Sequence, residues 1–117
     1  MALHNRLGRM GEELALGFLE AHGYAVLHRN WRNGHSEVDL IALRGGRLRF
    51  VEVKLRSSHR YGRPEQSIGE KKIAFILRAA EAYLDSHPNH TDFRIDVLAI
   101  TLNKNGPPDF LLIEDVY

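Results

Sequence analysis

Apolar residues recur every three or four positions from Leu3 to about His22. Leu7, Met10, Leu14, Phe18 and Ala21 fall on one stripe, which predicts an amphipathic helix ended by Gly23. Tyr24–Trp31 mixes apolar and basic residues as a strand does, and Asn33 with Gly34 signals a turn. Two β-rich runs follow, Glu37–Leu43 and Arg47–Lys54, joined through Gly45 and Gly46. A Gly-Gly pair between such runs predicts a hairpin, because both central residues can take positive φ. Ile73, Ile76, Leu77, Ala80, Tyr83 and Leu84 mark a second helix from about Ser67 to Ser86, stopped by Pro88. Phe93–Leu102 and Phe110–Val116 read as strands separated by the turn Asn105-Gly106-Pro107-Pro108. The predicted order is α-β-β-β-α-β-β: an α/β fold with a mixed sheet of about five strands flanked by helices.

The 117 residues fit a single domain spanning 1–117, and at this size one core supports a fold without staples. No cysteine is present, which excludes disulfides, thiolate metal ligands and a cysteine nucleophile. No run approaches the roughly 20 apolar residues of a membrane span, and the N-terminus lacks a signal-peptide pattern. A cytoplasmic protein with no membrane association is expected. The net charge is only +1, but residues 1–60 carry ten Lys/Arg against six Asp/Glu. Distribution matters more than the sum for a nucleic-acid binder.

The hairpin carries the chemistry. If Arg44 faces Arg47, the register sets Asp39 opposite Glu52 and Glu37 opposite Lys54, and all four project from one side of the sheet. The other side then reads Val38, Leu40, Val51 and Val53, a core surface. Two carboxylates on facing strand positions repel unless something compensates. Hard oxygen ligands at that spacing suit Mg²⁺ or Mn²⁺, with the Val53 carbonyl as a third ligand. Lys54, two residues beyond Glu52, can orient an attacking water and offset charge on a phosphoryl oxygen. Asp-x(12)-Glu-x-Lys across a hairpin is therefore a coherent site for phosphodiester hydrolysis. The bland alternative is an exposed hairpin face bearing a salt bridge.

These residues resemble the PD-(D/E)XK nuclease superfamily: Asp39 matches its lone aspartate, and Glu52-Val53-Lys54 its tripeptide. The resemblance is closer to the YraN-like family of small bacterial proteins, which are similar to archaeal Holliday junction resolvases. It is carried by Gly11-Glu12, Asn30-Trp31-Arg32, Glu37-Val38-Asp39-Leu40-Ile41-Ala42 and Phe50-Val51-Glu52-Val53-Lys54-Leu55-Arg56. Tyr61-Gly62-Arg63-Pro64, Lys71-Lys72 and Arg94-Ile95-Asp96-Val97 extend it over nearly the whole chain. In one departure, Gly34-His35-Ser36 precede Glu37 where the family usually has a glycine immediately before this segment.

The resemblance implies a restriction-endonuclease-like or resolvase-like fold, Glu12 as a further member of the acidic cluster, branched or structured DNA as substrate, and a two-fold homodimer. An alternative of a different class is a catalytically silent nucleic-acid-binding accessory that keeps the fold. Arg29, Arg32, Arg56, Arg60, Arg63, Lys71 and Lys72 flank the site in sequence and suit phosphate contacts, although any one of them can be an ordinary solvated side chain. Tyr61 could stack on an unpaired base. His28, His35 and His59 match no zinc spacing and read as solvent-exposed.

Overall fold

The computed structural model describes residues 8–57 and 69–117. Helix α1 (Gly8–Ala21) is followed by strands β1 (Ala25–Asn33), β2 (Ser36–Arg44) and β3 (Arg47–Ser57). Helix α2 (Glu70–Ser86) then leads to β4 (Phe93–Leu102) and β5 (Asp109–Ile113). The predicted order α-β-β-β-α-β-β is the observed one. The five strands form one sheet in the order β1-β2-β3-β4-β5. All neighbours are antiparallel except β3 and β4. That parallel pair needs a long connection, and α2 lies within it.

The chain between α1 and β1 closes in a Schellman motif: Tyr24 N–H donates to the Leu19 carbonyl at 3.0 Å, and Gly23 N–H to that of Glu20 at 3.2 Å. Gly23 takes φ +87°, as this motif requires. Gly45 and Gly46 have φ +58° and +78° in the β2–β3 turn, and Arg44 pairs with Arg47, as expected for a two-residue hairpin.

Each face of the sheet carries one helix and one core. On the α1 side Ala15, Leu19, Tyr24, Leu40, Ala42, Val51, Val53, Leu55, Leu98 and Ile100 pack together. On the α2 side Ile76, Ala79, Ala80 and Tyr83 pack against Val38, Ile41, Leu48, Phe50 and Ile95. The α2 stripe is close to the predicted one. The α1 stripe is rotated. Met10 is 56% exposed and Ala21 is exposed, while Gly11, Ala15 and Leu19 face the sheet. Small residues at the centre of the contact let the helix lie close, and the bulkier Leu14 and Phe18 flank it. The rotation turns Glu12 toward the sheet, so that it is partly buried.

Two further expectations are corrected. The last strand ends at Ile113, not Val116, because Asp115 takes φ +55° and turns the chain back. Val116 N–H then donates to the Ile95 carbonyl at 2.8 Å, and Ile95 N–H to that of Tyr117 at 3.2 Å. The predicted helix beginnings at Leu3 and Ser67 lie outside the described residues. Among those described, no helix is long and apolar enough to cross a membrane.

Candidate functional site

The central hairpin is regular from its turn to Leu40 and Val51, and no pair is formed beyond them. From there β2 continues against β1, while β3 continues against β4 as far as Ser57. Asp39 and Glu52 occupy the fork. The Asp39 Oδ2 accepts the Val53 N–H at 2.8 Å, so a side chain takes the place of the missing ladder bond. In a strand the N–H and C=O of one residue point to the same lateral edge, so the Val53 carbonyl also faces the fork.

The pleat changes phase at this point, which corrects the expected face assignment. Asn30 stands between the pairs Arg29–Leu40 and Trp31–Val38, across from Asp39, and takes φ +50°. At the same level of β2, Leu40 packs on the α1 side, whereas Val38, two residues away, packs on the α2 side. Glu37 therefore does not face Lys54. It partners Arg32 on β1, with Oε1 3.7 Å from the guanidinium Nε, and its buried Oε2 has no hydrogen bond among the described residues. Glu52 and Lys54 alternate with Val51, Val53 and Leu55 of the α1-side core, so both project toward the α2 side.

Asp39 and Glu52 are both buried, Glu52 to 2% exposure. Burial pushes the Glu52 carboxyl up to about 7, and the Asp39 charge adds to the rise. Burial also raises Asp39, against the opposing pull of the Val53 N–H and the Lys72 charge. Lys72, at the start of α2, brings Nζ to 3.2 Å from Glu52 Oε2 as an ion pair, and this oxygen meets no hydrogen-bond geometry with the described residues. The Lys54 ammonium also favours the ionised form of Glu52. Asn30 Oδ1 is likewise buried and has no partner among the described residues. Buried oxygens lacking donors are what a cation or ordered water satisfies. Among the described residues no three His, Asp or Glu side chains gather as a ready cation site. An ion at the fork would complete its shell with main-chain, water or substrate oxygens, as Mg²⁺ commonly does.

The other predicted residues are distributed as follows. Glu12 approaches from the α1 side, 3.8 Å from the Arg29 guanidinium; Arg29 pairs in the ladder with Leu40, beside Asp39. Arg32 is exposed and holds Glu37; Arg56 is half-buried and partnered; Lys71 is exposed on α2. Arg60, Tyr61, Arg63 and His59 lie outside the described residues. His35 is exposed, as expected. His28 is not: it is half-buried, with Nε2 3.0 Å from the Tyr83 hydroxyl and its ring edge-on to that of Tyr83. The absence of a zinc spacing says nothing about whether a histidine packs against a buried tyrosine, so the expected exposure does not hold for it.

A third buried carboxylate forms a separate polar centre that the sequence pattern does not single out. Asp96, fully buried, accepts from the Tyr24 hydroxyl at 2.6 Å, from Arg49 at 2.9 Å and from the Asp115 N–H at 2.9 Å. Arg49 also holds the Asp115 carboxylate at 2.7 Å, and Arg44 holds Glu114. With every Asp96 oxygen engaged, this cluster ties the C-terminal turn to the sheet. Its signal was a lone acid inside the otherwise apolar run Ile95–Ile100.

Fold and site together define an α/β protein with a buried carboxylate pair and flanking lysines where its two central strands part. The chain belongs to the family described as Uncharacterised protein family UPF0102, whose profile matches residues 11–100; this is the YraN-like group that its motifs resemble. A UPF0102 protein of Bacteroides thetaiotaomicron is 42% identical over 106 residues, covering 91% of this chain and 87% of the relative. One from Chlorobium chlorochromatii is 45% identical over 97 residues, covering 83% and 75%. A third, from an Arthrobacter species, is 40% identical over 109 residues and covers 92% of each chain.

Proposed function

We propose that this protein is a Mg²⁺- or Mn²⁺-dependent endonuclease acting on structured or branched DNA in the cytoplasm, working as a two-fold dimer as the resolvase resemblance implies. The observation that carries the reading is the buried Asp39–Glu52 pair at the fork, with a Glu52 oxygen lacking a hydrogen bond and lysines on both flanks. A purely structural role would not favour holding two carboxylates together in a desolvated notch.

Asp39, fixed by the Val53 N–H, and Glu52 would hold the ion, with the Val53 carbonyl as a further oxygen donor; Glu12, which the resemblance implies as a third acid, lies across the sheet from Glu52 beside Arg29 and is left out of the ligand set. When bound, the cation supplies polarisation of the phosphate and a water of lowered pKa. Lys54, on the Glu52 side of β3, orients the attacking water and offsets charge building on the phosphoryl oxygen. Arg29, Arg32, Arg56, Lys71 and Lys72, with Arg60 and Arg63, contact backbone phosphates and so contribute affinity more than sequence preference.

The test is a Mg²⁺ and Mn²⁺ titration against four-way junction, flap, single-stranded and linear duplex DNAs, comparing wild type with Glu52→Gln. Metal-dependent cutting that disappears in the variant is the expected result. The ion pair between Lys72 and Glu52 favours a second reading, in which a lysine has taken the cation's place and the protein binds DNA without cutting it. Tight binding with no cleavage under either ion would select that reading.

A further inference from the structure

Lys72 differs from the other basic residues near the site. It lies in the first turn of α2, on a different element from both carboxylates, and reaches across to Glu52 at 3.2 Å. Its side chain is 41% exposed while that of Glu52 is 2% exposed, so the ammonium sits at the mouth of the notch on a flexible stem. Its charge acts on Asp39 as well as on Glu52. A buried carboxylate with no partner is strongly unfavourable, and among the described residues Lys72 is the cation that forms an ion pair with it. With Lys54 it sets two positive charges against the two carboxylates, and the contact still leaves Glu52 Oε2 without a directed hydrogen bond.

A divalent ion at the fork would compete for the same oxygen. An ammonium and a divalent cation repel strongly at contact distance in a poorly solvated place. Resting on the metal-site reading above, we infer that Lys72 is an exchangeable counter-ion. It neutralises Glu52 while the fork holds no divalent cation, is displaced when one binds, and then presents its ammonium to a backbone phosphate of the nucleic acid. Loading the site therefore changes its local charge from near zero to about two positive charges, and frees a phosphate contact at the same step. Metal and nucleic acid then raise each other's affinity, as linkage requires. Lys72 is a positioning residue in this scheme, with Lys71 as the natural control: it is adjacent, exposed and forms no ion pair with the described residues.

The experiment uses the full chain, Ca²⁺ as a probe ion that suppresses cleavage, and a four-way DNA junction. Wild type, Lys72→Gln, Lys72→Arg and Lys71→Gln are compared by calorimetry for Ca²⁺ and by junction titration with Ca²⁺ or with chelator. Without DNA, Lys72→Gln is expected to bind Ca²⁺ several-fold more tightly than wild type. It should lose most of the gain in junction affinity that Ca²⁺ produces, and the slope of log affinity against log salt for the Ca²⁺-loaded protein should fall by about 1. Lys72→Arg should retain the gain, and Lys71→Gln should weaken the junction equally with and without Ca²⁺. Unchanged or weaker Ca²⁺ binding by Lys72→Gln, or an undiminished gain on metal loading, overturns the exchange while leaving the metal site standing. If wild type binds no divalent ion by calorimetry or thermal shift, the exchange and the metal-site reading fall together.

Discussion

The Asp39 carboxylate takes the hydrogen bond that a β2 carbonyl would have made to Val53, at 2.8 Å, where the two central strands part. One side chain thus closes the fork and furnishes a ligand. The two roles are separable. Asp39→Asn keeps an oxygen acceptor for the Val53 N–H and should hold stability within about 1 kcal/mol of wild type. Asp39→Ala strands a buried N–H and should cost about 1–3 kcal/mol. Both variants should lose the rise in melting temperature that Mn²⁺ gives wild type. Urea melts with and without Mn²⁺ check this, and a persistent Mn²⁺ effect in Asp39→Asn would remove Asp39 from the ligand set.

Glu52 predicts an unusual pH response. Its carboxyl is raised from 4.5 to about 7 in the folded protein, chiefly by burial. A raised group contributes stability that is fully present below its unfolded value and is lost as pH rises through the folded one. In metal-free protein, wild type should therefore lose stability relative to Glu52→Gln between about pH 4.5 and pH 7, by on the order of 3 kcal/mol. Divalent metal requires the ionised form, so its affinity should climb over the same interval. Denaturant titrations of both proteins at pH 5, 6, 7 and 8 decide the matter; a gap that stays constant would mean that Glu52 is charged throughout.

The hairpin's register was legible because a Gly-Gly turn fixes pairing by counting, and the pairs from Leu40–Val51 to Arg44–Arg47 follow it. The meeting of Asp39 and Glu52 followed from the same count. The fork itself was not legible. Strict alternation assumes an unbroken pleat, and nothing local marks Asn30 as left-handed rather than as one more polar strand residue. The inversion of Val38 and the loss of the Glu37–Lys54 pair both occur at the level of that position on the neighbouring strand. The face of α1 was misjudged because hydrophobic periodicity selects large side chains, whereas close helix–sheet contact selects small ones such as Gly11 and Ala15. Lys72 could be placed near the site by sequence but not on Glu52, since that contact depends on how the α2 crossover docks.

Asp96 should matter to stability and not to metal. Replacing it by Ala leaves the largely buried Arg49 with only Asp115 and removes the acceptor for both Tyr24 and the Asp115 N–H. Breaking a buried pair from one side typically costs about 3–5 kcal/mol, with the lower end expected here because Asp115 remains. The C-terminal turn should also become accessible to carboxypeptidase. Equilibrium unfolding and a digestion time course measure these effects, and the Mn²⁺ increment in melting temperature should be kept. Loss of that increment at a temperature where the variant is still folded would connect the two buried acids.

Asn30 offers the sharpest test of what the fork is built to hold. It adopts φ +50°, which Asn and Gly tolerate far better than β-branched residues, and its buried Oδ1 has no partner among the described residues. Asn30→Gly should fold with stability within about 1 kcal/mol of wild type, since it relaxes the backbone while removing the side chain. Asn30→Val should lose about 1–2 kcal/mol through backbone strain alone. Asn30→Asp places a third carboxylate across from Asp39, so the metal-free protein should be destabilised by repulsion and desolvation. Mn²⁺ should then raise its melting temperature by more than it raises that of wild type, and Asn30→Gly by less. Thermal melts of the four proteins across a Mn²⁺ series give the answer. Equal increments in all four would mean that the Asn30 oxygen faces no cation and that the left-handed turn serves only to part the strands.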